Sequence, residues 1–157
     1  MRKKKKPKFL IIDVDGVMTT GHHIYSKNGK LFKIFGPHDH DGIKLLKDFI
    51  KILFVTADKI GFSISKKRIQ TDMKQKIILL NEKDRYDFLK SKFGLQNIVY
   101  IGDGIHDEKI IKDCLYGISP KNARSEAKKH AKYITSSKSG EGAVLDACLK
   151  VKNLFFK

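Results

Sequence analysis

The first apolar stretch, Phe9 to Ile12, is unbroken and stops at two acids, Asp13 and Asp15, with Val14 between them and Gly16 after them. A short continuous run fits a strand covered on both faces, because a strand with one wet face alternates. The same signature recurs at Ile52 to Thr56, at Ile77 to Leu80, in "NIVYIGD" before Asp103, in "GISP" and in "KYIT". Between these runs the pattern predicts helices. They cover "DGIKLLKDF", "SISKKRIQTDMK" with Ser63 as N-cap, "EKDRYDFLKSKFG" stopped by Gly94, "DEKIIKDCLYG" closed by Gly117, "RSEAKKHA" and "GAVLDACLKVKNLF". One segment departs from the alternation. "HIYSKNGKLFKIF" places β-forming runs on both sides of Asn28-Gly29, which predicts a hairpin whose two turn positions take positive φ. Pro37 ends that unit.

Strands alternating with helices predict a doubly wound α/β fold with a parallel sheet and a β-hairpin inserted after the first strand. Ligands in such sheets sit beyond the carboxyl ends of the strands. That rule gathers Asp13 and Asp15, Thr56 to Asp58, Asn81 to Arg85, and Asp103 to Asp107 around one crevice. Asp13, Asp15 and Asp103 would repel there and lose hydration, so a cation is required. With no His or Cys in a ligand pattern beside them, an all-oxygen set favours a hard ion, Mg²⁺. A carboxylate at such a site can hold the metal and attack phosphorus. A second one two residues on can protonate the leaving oxygen and later deprotonate water. The Asp-x-Asp spacing keeps both carboxylates on one side of an extended segment, and Gly16 lets backbone approach a phosphate. Each piece alone also fits an ordinary turn or helix cap; their order at successive strand ends carries the reading. The six histidines form no zinc pattern, but His38 and His40 flank Asp39 near the crevice and are substrate-binding candidates.

Length and charge narrow the picture. The chain of 157 residues is expected to be a basic tail, residues 1–8, and one domain, residues 9–157. No apolar run is long enough to span a membrane. The start resembles the charged region of a signal peptide, yet Phe9 to Ile12 is too short for an export core. Cys114 and Cys148 show no metal spacing and no disulfide framework, so a reducing cytoplasm is expected. The net charge of +16 is compatible with nucleic-acid binding or with a lysine-rich solvated surface. Outside Arg2 to Lys8 the basic residues are dispersed and lack interleaved aromatics, so the expectation is no nucleic-acid partner and a field that draws small anions.

"DVDGVMTTG", the Thr of "VTAD" and "GDGIHD" resemble the first, second and fourth motifs of the haloacid dehalogenase superfamily of phosphotransferases, over nearly the whole chain. The hairpin, Asp41-Gly42 and "SGEGA" at Ser139 to Ala143 are similar to its small capless branch, which holds the octulosonate- and nonulosonate-phosphate phosphatases. The resemblance implies a Rossmannoid sheet without a cap domain, and no long insertion leaves room for one. It implies a homotetramer whose hairpins build a barrel-like core and whose neighbouring subunits help cover each active site. It also implies Mg²⁺-dependent hydrolysis of a phosphorylated sugar acid, in surface-polysaccharide biosynthesis. Asp13 would be the nucleophile and Asp15 the general acid and base. The side chains of Asp13 and Asp103 and the main chain at Asp15 would hold Mg²⁺, Asp107 would support its water shell, and Thr56 would bond a phosphoryl oxygen. Three positions depart from the family pattern. Arg85 stands where a Lys is usual, with Lys83 nearby as the other candidate cation. Ala57-Asp58 replaces Gly-Arg, putting an anion near the substrate. Glu141 stands where octulosonate phosphatases tend to carry Arg, and suits a hydroxyl or amino group better than a carboxylate. An alternative reading is a weakly active or inactive oligomerisation domain. A phosphoacceptor signalling domain is disfavoured by the second acid of "DVDG".

Overall fold

The computed structural model describes residues 5–157; the part of the basic-tail expectation that falls on residues 1–4 lies outside them. β1 (Phe9–Asp13), β4 (Lys51–Thr56), β5 (Lys76–Leu79), β6 (Ile98–Ile101), β7 (Tyr116–Ser119) and β8 (Tyr133–Ile134) form one sheet in the order β5-β4-β1-β6-β7-β8, with every pair parallel. The chain builds outward from β1 through β4 to β5, then crosses back to β6. The order therefore reverses between β1 and β6, and a crevice opens there beyond the strand ends.

The unbroken apolar runs are explained by helices on both faces. Leu10 and Ile12 pack with Ile43 and Leu46 of α1 (His38–Leu46) and with Val144, Ala147 and Val151 of α6 (Ala143–Phe155). Ile11 points the other way, toward Leu89 of α3 (Glu82–Phe93), Ile110 and Ile111 of α4 (Glu108–Asp113), and Ala127 of α5 (Ser125–His130). Each fully buried aliphatic side chain of β1 contributes about 1.5–3 kcal/mol. The sheet thus extends the protein's core up to the point where Asp13 ends β1. Lys8 continues the sheet pattern, its N–H donating to the Asn97 carbonyl at 2.9 Å, and Pro7 is buried.

Four local expectations change. In the hairpin of β2 (Thr19–Ser26) and β3 (Gly29–Phe35), Ser26 pairs with Gly29, so the turn residues are Lys27 and Asn28. Of Lys27, Asn28 and Gly29 only Gly29 carries a positive φ, at 117°, and Asn28 avoids the cost of that region. Ser63 lies inside the short helix α2 (Phe62–Lys66), whose entry is held by the Gly61 N–H donating to Asp58 Oδ1 at 3.0 Å. Gly117 sits within β7 rather than closing α4: a Cβ there would lie 2.4 Å from the Ile111 carbonyl oxygen, so glycine permits the close helix–strand approach. α1 begins at His38, not at Asp41, which places Asp39 in its first turn.

Asp39 is fully buried and receives the N–H groups of Val144 (2.8 Å), Gly142 and Leu145 (both 3.4 Å) at the start of α6. It supplies, from another helix, the cap that α6 lacks in its own sequence. Burial raises its carboxyl, and the three N–H bonds oppose that rise. Asp39→Ala leaves these donors without their acceptor, and urea unfolding is expected to show a loss of about 1–3 kcal/mol.

Candidate active site

A cavity of about 840 Å³ opens at the carboxyl ends of the strands, lined among others by Asp13, Asp15, Ala57, Asp58, Arg85, Asp103 and Asp107. β1 delivers Asp13 at its last position. The chain then makes a wide turn, Val14–Met18, in which Gly16 adopts φ 82°. A Cβ at Gly16 would lie 2.1 Å from Asp103 Oδ2, so glycine is what lets this turn pass beneath the Asp103 carboxylate. The Thr19 hydroxyl accepts the N–H groups of Gly16 and Gly21, both at 3.1 Å, and fixes the turn.

Two groups of acids separate. Asp13, Asp103 and Asp107 each offer one carboxylate oxygen, all within 4.8 Å of one another. Burial, then the charge of Asp107, pushes Asp13 well above the usual carboxylate range against the opposing pull of Arg85. The same two causes push Asp103 up to about 7. Arg85 is the cation among them. Its Nη1 donates to Asp13 Oδ1 (3.1 Å), Asp107 Oδ1 (3.2 Å) and the Tyr100 hydroxyl (3.1 Å). One nitrogen meets all three partners while Nε finds none, so Arg85 acts here as a point charge, as a lysine would. Asp107 also accepts the N–H groups of Asp103 (3.0 Å) and Gly104 (2.9 Å), and so shapes the loop that presents Asp103.

The carboxylate of Asp15 lies outside that cluster. Its Oδ2 accepts the Thr56 hydroxyl at 2.9 Å, and Lys33 Nζ is 2.7 Å from Oδ1. The two acids of "DVDG" therefore share a cavity but not a set of partners, and the charge of Asp15 is the smallest of the causes that raise Asp13. Asp58 is likewise not an unbalanced anion. It pairs with Lys30 and with Lys33 at 2.9 Å. Burial pushes its carboxyl up, but Lys30, the Gly61 N–H and Lys33 prevail and hold it well below its ordinary value.

Other expected positions do not meet the cavity. Lys83 is exposed on the first turn of α3 and outside the cavity lining, leaving Arg85 as the α3 cation at the site. His38 is exposed and His40 half-buried on α1, and Glu141 is exposed; none lines the cavity. Conversely, His23, Lys30 and Lys59 line it, and Lys33 and Tyr100 support it, without having been singled out by pattern, while His106 lines it from within the expected Asp103 to Asp107 stretch. In a chain carrying +16, Lys30 and Lys33 look like any other lysines until the hairpin folds back over the end of β4.

Residues 88–147, which contain Asp103 and Asp107, match the family described as haloacid dehalogenase-like hydrolase. The 3-deoxy-D-manno-octulosonate 8-phosphate phosphatase of Haemophilus influenzae is 29% identical over 147 residues, covering 90% of this chain and 81% of that protein. The chain is thus similar to haloacid dehalogenase-like hydrolases, in the family match over residues 88–147 and in this relative over most of its length. Among solved structures, the octulosonate phosphatase of Moraxella catarrhalis, in complex with a magnesium ion, a phosphate ion and KDO, superposes with a TM-score of 0.81 at 27% identity, covering 97% of this chain and 89% of that one. The cobalt-bound Haemophilus influenzae enzyme gives a TM-score of 0.81 at 26% identity, covering 97% and 91%. These relatives place this hydrolase among the phosphatases. No helix of the described residues is long and apolar enough to cross a membrane, and Cys114 and Cys148 are both buried free thiols.

Proposed function

We propose that the hydrolase is a Mg²⁺-dependent phosphatase that cleaves a phosphorylated sugar acid or related sugar phosphate through a phosphoryl group carried on Asp13. The single observation that carries this reading is the pairing, across one cavity, of the Asp13–Asp103–Asp107 oxygen cluster with the separately held Asp15. Two buried carboxylates and the half-buried Asp103 against one guanidinium fit a hard divalent cation, because the donors are all oxygens and their charge is under-compensated. Asp13 and Asp103 would hold it with the main chain at Asp15, and Asp107 would orient its water shell. When bound, the cation supplies positive charge to the phosphoryl oxygens and removes the repulsion between Asp13 and the dianionic substrate.

Asp13 then attacks phosphorus, the ester P–O bond breaks, and Asp15 gives its proton to the departing oxygen. Asp15, now a carboxylate, takes a proton from water as that water attacks phosphorus. The bond between phosphorus and the Asp13 oxygen breaks, inorganic phosphate leaves and both acids are restored. Thr56, beside Asp15, and the backbone at Gly16, Ala57 and Asp58 border the position of the phosphoryl group. Lys30, Lys59 and His23 on the cavity wall suit an anionic substrate, and octulosonate phosphatases among the relatives support a sugar acid. The exposed Ile24, Tyr25, Leu31, Phe32 and Ile34 of the hairpin support assembly, as a homotetramer with its active sites at subunit interfaces, in a cytoplasmic step of surface-polysaccharide synthesis.

Phosphate release from a panel of sugar phosphates tests this reading. Turnover with Mg²⁺ that EDTA abolishes and Mg²⁺ restores is the expected result. An assembled protein without turnover on any member, whose melting temperature Mg²⁺ leaves unchanged, would instead identify an oligomerisation domain that has kept the fold.

A further inference from the structure

Lys33 is an unusual residue for its strand. On β3 its neighbours Phe32 and Ile34 are exposed, while the Lys33 side chain is wholly buried. A buried ammonium is costly unless its donors are matched. Here Nζ donates to the Ser65 hydroxyl on α2 (2.8 Å) and forms ion pairs with Asp15 Oδ1 (2.7 Å) and Asp58 Oδ2 (2.9 Å). Lys33 is not among the residues lining the cavity, so it does not reach a substrate. It does reach the residue that would move the proton.

The other oxygen of that residue is fixed too. The Thr56 hydroxyl accepts the Asp58 N–H at 3.1 Å, which directs its own hydrogen to Asp15 Oδ2 at 2.9 Å. The two oxygens of Asp15 are therefore held differently, Oδ2 by a hydrogen bond from β4 and Oδ1 by the charge of the hairpin's Lys33. Proton transfer to a leaving oxygen depends steeply on where the acid stands. We propose that Lys33 is a positioning residue that holds the Asp15 carboxylate in place for proton transfer and ties the hairpin to the chemistry. This rests on the reading of Asp15 as general acid and base.

The alternative is that Lys33 only balances Asp58 and stabilises the fold. The two roles separate by leaving group. An alkyl ester, such as a sugar phosphate, needs its departing oxygen protonated, whereas p-nitrophenyl phosphate releases a stable anion without help. In the full chain with Mg²⁺, Lys33→Met is expected to lower kcat/KM for the alkyl ester by about 10²-fold, and for the aryl ester by no more than about fivefold. Equal losses on both esters would overturn the positioning role, because a loosened fold harms both alike. Ser65→Ala keeps the charge and both carboxylate partners, and serves if Lys33→Met does not fold. It is expected to lower the alkyl-to-aryl ratio by about threefold, and an unchanged ratio counts against the proposal. Wild-type protein that cleaves neither ester overturns the phosphatase reading itself, and the Lys33 role falls with it. Wild-type turnover with a flat ratio in both variants overturns the Lys33 role alone.

Discussion

Asp13→Asn is expected to abolish phosphatase turnover, by at least about 10³-fold in kcat, while leaving the fold intact. The amide keeps the shape of the carboxylate and its carbonyl oxygen can still accept from Arg85, so packing at the end of β1 is retained. What it lacks is the anionic oxygen that attacks phosphorus. The same change removes one of three mutually repelling acids, and burial, then the charge of Asp107, pushes Asp13 well above its ordinary range. Thermal denaturation in EDTA is therefore expected to show a melting temperature equal to or above the parent's. Mg²⁺ should raise it less than in the parent, since one ligand is weakened. Loss of activity accompanied by loss of fold would argue that Asp13 is structural.

Arg85→Met should act in the opposite sense. Arg85 is the cation that Asp13 and Asp107 share, and its removal leaves buried carboxylates uncompensated. Breaking a buried pair in this way costs about 3–5 kcal/mol. Urea unfolding in EDTA is expected to reveal that loss. Mg²⁺ should recover part of it, because an ion bound only by the native state stabilises that state by mass action. Arg85→Lys should be far milder, since a single nitrogen of the guanidinium makes all three contacts. An Arg85→Met protein as stable as the parent without metal would show that the cluster does not need a cation.

Much of the fold was legible because its cause is local. β1 reads as an unbroken apolar run since Leu10 and Ile12 face one helical layer and Ile11 the other. The strand-end rule then places Asp13, Asp15, Thr56, Asp58, Arg85, Asp103 and Asp107 on one cavity or its immediate support. The illegible parts depend on contacts far apart in sequence. Asp39 was visible only as the acid between two histidines, yet it caps a helix that begins more than a hundred residues later, and neither His38 nor His40 lines the cavity. Asp58 looked like a reversed charge until Lys30 and Lys33 arrived from the hairpin. Lys83 and Arg85 are nearly equivalent in sequence. They differ because the period of α3 turns Arg85 into the core beneath the site and leaves Lys83 in solvent. Turn chemistry was misread by one residue, as Gly29 took the positive φ alone.

The central claim is that the phosphoryl group passes through Asp13. Mixing the protein and Mg²⁺ with a radiolabelled sugar phosphate that it turns over, quenching in acid within the first turnover and mapping the labelled peptide tests this most directly. The account predicts label on the peptide that contains Asp13, stable to acid and released by hydroxylamine as an acyl phosphate is, and absent from Asp13→Asn. Rapid turnover with no covalent label, or label on any other residue, would contradict it.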